Sequence, residues 1–194
     1  MSSAAESSKL SGTPGTWDVA TGKAVNWADA VHGWAVGATP VLMNVAATYD
    51  RTITYTELIE AIQASSGVRT RSLYWARPVL EEVALDCLKR GDVLLTALCV
   101  HSDGTVGEGY AVAASYFMDG VEPENAELHA ADTSLLCYQK YATDLPADGG
   151  RPSLTPQESA RRKAKAPEPA PKMCPIHYTV LPRTGICDEC ALDV

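Results

Sequence analysis

Ile53 to Val112 reads ITYTELIEAIQASSGVRTRSLYWARPVLEEVALDCLKRGDVLLTALCVHSDGTVGEGYAV, and this stretch decides the fold. Thr54-Tyr55-Thr56-Glu57 has the capping-box form, in which a threonine hydroxyl and a glutamate three residues on satisfy each other's backbone N–H groups. Ile53 and Leu58 flank the box as a hydrophobic staple. Leu58, Ile59 and Ile62 follow at helical spacing, and Gly67 suits a left-handed cap. A second helix is expected between Ser72 and Arg90, with Pro78 in its first turn or, if the helix already begins at Ser72, kinking it. Its buried stripe would be Val79, Leu80, Val83, Ala84, Cys87 and Leu88.

Val93 to His101 (VLLTALCVH) is β-favouring and apolar on both faces, which predicts an inner strand. Asp103-Gly104 suits a two-residue type I′ turn. Thr105 to Val112 would return as a second strand, whose Gly107 and Gly109 point to a bulge or a close backbone approach. Helix, helix, strand, turn, strand is the order of a winged-helix unit, and also of a generic small α+β domain. The fold class expected is therefore α+β, a helical N-terminal part with a winged-helix-like core, plus a small C-terminal zinc ribbon or knuckle.

Outward from that stretch, residues 1–15 are small, polar and Ser-rich and are expected to be disordered. Trp17, Trp27 and Trp34 are spaced too widely for one helical stripe and are expected to pack over the core. Pro40 to Tyr49 reads as a helix leading into the capped one. Beyond the turn at Asp119-Gly120, Pro123 opens a longer helix with Glu124 and Glu127 in its first turn. Leu128, Ala131, Leu135 and Tyr138 form its stripe, and it should fray near Thr143. The globular core is thus 16–145. Residues 146–172, rich in Pro, Ala and basic side chains, read as an extended linker, and 173–194 as a metal-binding module.

The module carries the most specific chemistry. Cys174-Pro-Ile-His177 and Cys187-Asp-Glu-Cys190 are two x₂ pairs separated by nine residues. Three thiolates and one imidazole complete a tetrahedral zinc shell and leave no open position, which is the pattern of a structural site. So short a segment needs the metal to fold. Cys87, Cys99 and Cys137 lie singly in apolar patterns and read as buried reduced thiols.

The chain's formal charge of −8 is divided. Residues 1–150 hold nine Lys/Arg and nineteen Asp/Glu, net −10, whereas residues 151–194 hold seven and five, net +2. An acidic body argues against promiscuous nucleic-acid binding, since phosphate neutralisation supplies most of that affinity. No apolar run approaches the ~20 residues of a membrane span, and Met1 to Ser11 lacks a signal-peptide hydrophobic segment, so a cytoplasmic location is expected.

The core and tail together resemble a group of small proteins from high-GC Gram-positive bacteria and their phages. The matching pieces are YTELIEAIQ…GVRTR, VHSDGTVGEGY, CYQKYATDLPADGG with PSLTP, and the terminal CP-H…LP-TG-CDEC, spanning most of residues 50–194. This resemblance implies no activity. More loosely, the core is similar to the DNA-binding winged-helix domain of alkyltransferase-like proteins. That family's Pro-Cys-His-Arg motif is absent, Leu95-Thr96-Ala97-Leu98 standing at the corresponding place, so alkyl transfer is not implied.

His101, Asp103, Glu108 and His129 are the only acid–base set on offer. Asp103 is explained by the turn, and no P-loop, Gly-x-Gly-x-x-Gly or Ser-His-Asp order occurs, so no enzyme is expected. Two binding readings remain. In one, the protein is a zinc-containing, DNA-associated regulator: Arg69, Arg71 and Arg77 open the second helix as a recognition helix would, and Arg161, Arg162, Lys163 and Lys165 touch phosphates. In the other, it is an acidic protein–protein adaptor with a structural zinc ribbon.

Overall fold

A computed structural model describes residues 15–71, 75–165, 172–182, 185–188 and 190; the expected disorder of 1–14 lies outside them. After the short strand β1 (Thr16–Asp18), the longest helix, α1 (Trp27–Ala46), begins where the Asn26 side chain accepts the Ala28 N–H. It starts well before Pro40, because its buried face is built largely of small residues: Ala30, Val31, Trp34, Ala35, Ala38, Leu42, Val45 and Ala46. Pro40 sits inside it, exposed, and forfeits a single helical hydrogen bond at Val36. Trp34 is fully buried, its ring 4.4 Å from that of Trp75 and 6.0 Å edge-on from that of Trp27. The packing duty expected of the tryptophans holds for this pair.

β2 (Ile53–Thr54) leads directly into α2 (Tyr55–Ser66), whose capping box is complete: Glu57 N–H donates to Thr54 Oγ1 at 3.2 Å and Thr54 N–H to Glu57 Oε2 at 2.8 Å. Gly67 closes the helix in the left-handed region at φ 67°. β3 (Val68–Thr70) then pairs antiparallel with β1. α3 (Ala76–Lys89) buries the expected stripe except Leu88, which is exposed.

The run after α3 departs from expectation. Leu94 to Val100 is buried throughout, but Leu95–Leu98 coils as a 3₁₀ turn and only β4 (Cys99–Val100) is extended, parallel to β2. A continuous apolar run fixes burial and not backbone shape. At the turn only Gly104 is left-handed (φ 81°). His101 N–H donates to Thr105 C=O at 2.7 Å and Gly104 N–H to His101 C=O at 2.9 Å. The loop therefore spans three residues, Ser102 to Gly104, rather than two.

After a single bridge between Val100 and Val106 the chain turns into α4 (Gly109–Ser115), so the returning strand of the expected hairpin is replaced by a helix. Its Tyr110, Ala113 and Ala114 pack with Ala84, Leu94, Ala97 and Ala130 in a second apolar cluster. The glycines are there for close approach: a Cβ at Gly107 would collide with the Tyr55 hydroxyl, and one at Gly109 would crowd the Arg77 stem. The mixed α+β class stands, with the hairpin of the winged reading contracted to one bridge.

α5 (Ala126–Tyr141), capped by Asn125, buries Ala130, Ala131, Ser134, Cys137 and Tyr138. Leu128 is exposed and Leu135 only half-buried, which corrects the stripe expected from the large apolar residues. Ser134 Oγ donates to Ala97 C=O at 3.2 Å, an approach that a leucine there would block. Asp92, linking α3 to the 3₁₀ turn, holds α5 electrostatically. Its carboxylate accepts from Lys140 Nζ (2.6 Å), Tyr141 Oη (2.7 Å), Val93 N–H (2.8 Å) and Arg90 Nη1 (3.2 Å). Burial alone would push this carboxyl up, but the hydrogen bonds outweigh it and hold the group below the ordinary carboxylate range.

From Thr143 the chain runs back over the core instead of leaving it. Thr143 N–H donates to Ala47 C=O, and Tyr49 Oη bonds both the N–H and the C=O of Arg151. Thr155 Oγ1 donates to Gly104 C=O at 2.8 Å and accepts the Glu158 N–H at 3.3 Å, capping α6 (Pro156–Lys165). Part of the stretch expected as an extended linker is therefore helical. Thr155-Pro-Gln-Glu158 is itself of capping-box form with proline at the first helical position, a signal lost in reading 146–172 as a proline-rich linker. By compactness the chain divides into Met1–Ser159 and Ala160–Val194. Among the described residues no helix is long and apolar enough to cross a membrane.

Candidate metal centre

Lys172 to Leu181 folds as a tight hairpin. Leu181 N–H donates to Lys172 C=O and Cys174 N–H to Thr179 C=O, each at 2.8 Å, and Met173 bridges Val180. The Cys174-x-x-His177 pair occupies the bend, where Tyr178 adopts a left-handed φ of 55° and its N–H returns to Cys174 C=O. This bend turns the His177 N–H onto Cys174 Sγ at 3.4 Å. Peptide N–H groups of His177 and then Ile176 hold the Cys174 thiol below its ordinary range.

The four expected ligands converge. Cys174 Sγ lies 3.7 Å from Cys190 Sγ, and His177 Nδ1 lies 3.9, 3.6 and 3.3 Å from the sulfurs of Cys174, Cys187 and Cys190. All four ligand atoms fall within 4.8 Å of one another. A tetrahedron with metal–sulfur bonds of about 2.3 Å and metal–nitrogen bonds of about 2.0–2.1 Å requires ligand separations of roughly 3.5–3.8 Å. The geometry therefore fits one ion bound by three sulfurs and Nδ1, a donor set consistent with zinc. Electrostatics point the same way. The hydrogen bond that the Cys190 thiol shares with Cys174 pushes it up to about 11, with burial and the nearby Cys174 charge adding to the shift, and a divalent cation among the sulfurs would favour the thiolates instead. Cys174 and Cys187 are buried while His177 and Cys190 are half-buried, and four protein ligands leave no position for a reacting water.

What sequence reasoning missed is the module's outer surface. Met173, Ile176, Tyr178, Val180 and Ile186 are 50, 69, 75, 60 and 61% exposed. Their density in so short a segment was the available signal, since a module that surrounds an ion has no interior in which to hide them.

The basic residues are not assembled as expected. Arg69 and Arg71 do not open the second helix. Arg69 lies on β3, where its Nη1 donates to Gln63 Oε1, and Arg71 follows it with its guanidinium 5.8 Å above the Trp17 ring. Only Arg77 is in the first turn of α3, packed against Gly109. Arg161, Arg162, Lys163 and Lys165 fall in the second half of α6. Asp103 at the turn tip accepts the Thr105 N–H. His101 stacks on Tyr55, and His129 Nδ1 meets Tyr110 Oη at 2.9 Å. No protein-family model, curated protein or solved structure matches the chain.

Proposed function

We propose that the protein is an adaptor: an acidic α+β core bearing a zinc-held module whose outer surface binds another protein. The observation that carries this reading is the set of five large apolar side chains left in solvent on a module whose four converging ligands suit one metal ion. So many large apolar side chains exposed on one short module point to an interaction surface. Zinc is the ion that best suits three thiolates and an imidazole in a closed shell. The role is binding rather than catalysis. A cytoplasmic setting accords with Cys87, Cys99 and Cys137 being free buried thiols.

The DNA-associated reading draws on the basic half of α6. It is the weaker of the two, because Arg69 and Arg71 are engaged with Gln63 and Trp17, and the body they sit on carries net −10 over residues 1–150.

The test is cross-linked capture with the zinc-loaded chain and with the Ile176→Ser/Tyr178→Ser double variant, run beside a selection from a random duplex library at low salt. The expected result is one partner that reconstitutes a 1:1 complex with purified protein. The double variant should weaken it at least tenfold while keeping its zinc. Enrichment of a defined duplex site, with no such partner, overturns the adaptor reading.

A further inference from the structure

The three sulfurs of the metal centre are not equivalent. Cys174 is 2% exposed and accepts the His177 N–H at 3.4 Å. Cys187 is 5% exposed and lies 3.3 Å from the Thr179 hydroxyl. Cys190 is half-buried, and among the described residues no peptide N–H or hydroxyl donates to it. A hydrogen bond to a metal-bound thiolate draws electron density from the sulfur, and burial keeps reagents away from it. Cys190 is thus the one sulfur of the three that is both reachable and undamped.

Its neighbour decides what an oxidation there would lead to. Cys174 Sγ lies 3.7 Å from Cys190 Sγ, and a disulfide needs the two sulfurs to close to about 2.05 Å. His177 cannot enter a disulfide. Joining Cys174 to Cys190 therefore takes one ligand from each x₂ pair and leaves His177 and Cys187, half of the four donors that a structural zinc site uses.

We propose that the metal centre is a peroxide-responsive switch in which Cys190 is the sulfur oxidised and Cys174 the sulfur that closes the disulfide. The Cys190 thiolate attacks one oxygen of hydrogen peroxide, the O–O bond breaks and hydroxide leaves, so that Cys190 becomes a sulfenic acid. The Cys174 thiolate then attacks the Cys190 sulfur, the S–O bond breaks and a second hydroxide leaves. Two thiolates have given up two electrons to one disulfide, and the peroxide, with two protons, has become two waters. Zinc is released with its ligands halved, and the module loses the frame that shapes it. A dithiol reductant and fresh zinc restore both. The inference rests on the site holding zinc and is independent of what the module's outer surface binds.

The test uses the full, zinc-loaded chain and hydrogen peroxide, with a chromophoric chelator reading zinc release and peptide mapping after alkylation reading the thiols. One zinc released per peroxide consumed is expected, with Cys174 joined to Cys190 and Cys187 left open to alkylation. Dimedone present during oxidation should mark Cys190. Cys190→His, which keeps four donors, should hold zinc and release it at least tenfold more slowly under peroxide, whereas Cys187→His should release it at about the wild-type rate. The dimedone mark and the disulfide are read on the unaltered chain, so they decide the matter whatever the variants' own zinc affinity. Zinc retained at a tenfold excess of peroxide, a dimedone mark on Cys174 or Cys187 instead, a disulfide between Cys187 and Cys190, or equal sensitivity of the two variants overturns the proposal. A chain that holds no zinc overturns the metal reading, and the proposal with it.

Discussion

The core and the metal module reach order by opposite means. The core buries Trp34, Leu42, Leu58, Ile62, Leu95 and Leu98 almost completely, so its structure follows from apolar surface removed from water. The module buries Cys174 and Cys187 and leaves its large apolar side chains outside. What one region obtains from packing, the other would obtain from the bonds that its four converging ligands can make to a metal ion.

The largest effect that would break this comparison is loss of the metal. One ion per chain is expected by elemental analysis. Chelation, or Cys187→Ser, should abolish hydrogen-exchange protection in residues 172–190, since in modules this small metal binding and folding are one equilibrium. The urea midpoint of the core should not move. A Cys187→Ser variant that retains full metal and full protection would show that the module folds by packing after all.

A smaller effect separates the two regions by pH. Asp92 is a core group whose side chain is 5% exposed and whose folded pKa is depressed. It therefore contributes stability that is present above its unfolded value, near 3.8, and lost as pH falls through the lower folded value. Asp92→Ala, which strips Tyr141 and Val93 N–H of their acceptor, should destabilise the core by about 2 kcal/mol at pH 7, discounted for the half-exposed Lys140 and Arg90. The gap between wild type and variant should shrink in acid. A gap unchanged at pH 2.5 would mean that the carboxylate is not what holds α5.

The sequence was legible wherever chemistry is local. The capping box at Thr54 and Glu57 and the two x₂ ligand pairs each need only a few neighbouring residues, and both assembled as read. It was less legible where tertiary context chooses. Val93 to His101 announces burial, and nothing in an all-apolar run separates a strand from a 3₁₀ turn. Thr105 to Val112 reads as a strand until Tyr55 and Arg77 are seen lying against its glycines.

The smallest expected effect sharpens the same lesson on α5. A stripe sought among large apolar residues puts Leu128 and Leu135 on the buried face, yet the helix packs through Ala130, Ala131, Ser134 and Cys137. Leu136 is 52% exposed, on neither the expected stripe nor the packed face. Small residues win because they let α5 approach the 3₁₀ turn closely enough for Ser134 Oγ to reach Ala97 C=O and Cys137 Sγ to reach Leu94 C=O. A leucine face would hold the two backbones apart and leave both carbonyls without these partners. If the helix is so oriented, Leu136→Ser removes a side chain that is already half in water, and the urea midpoint should move by no more than about 0.5 kcal/mol. A loss of about 2 kcal/mol or more, the range for truncating a buried leucine, would rotate α5 and return the leucines to the core.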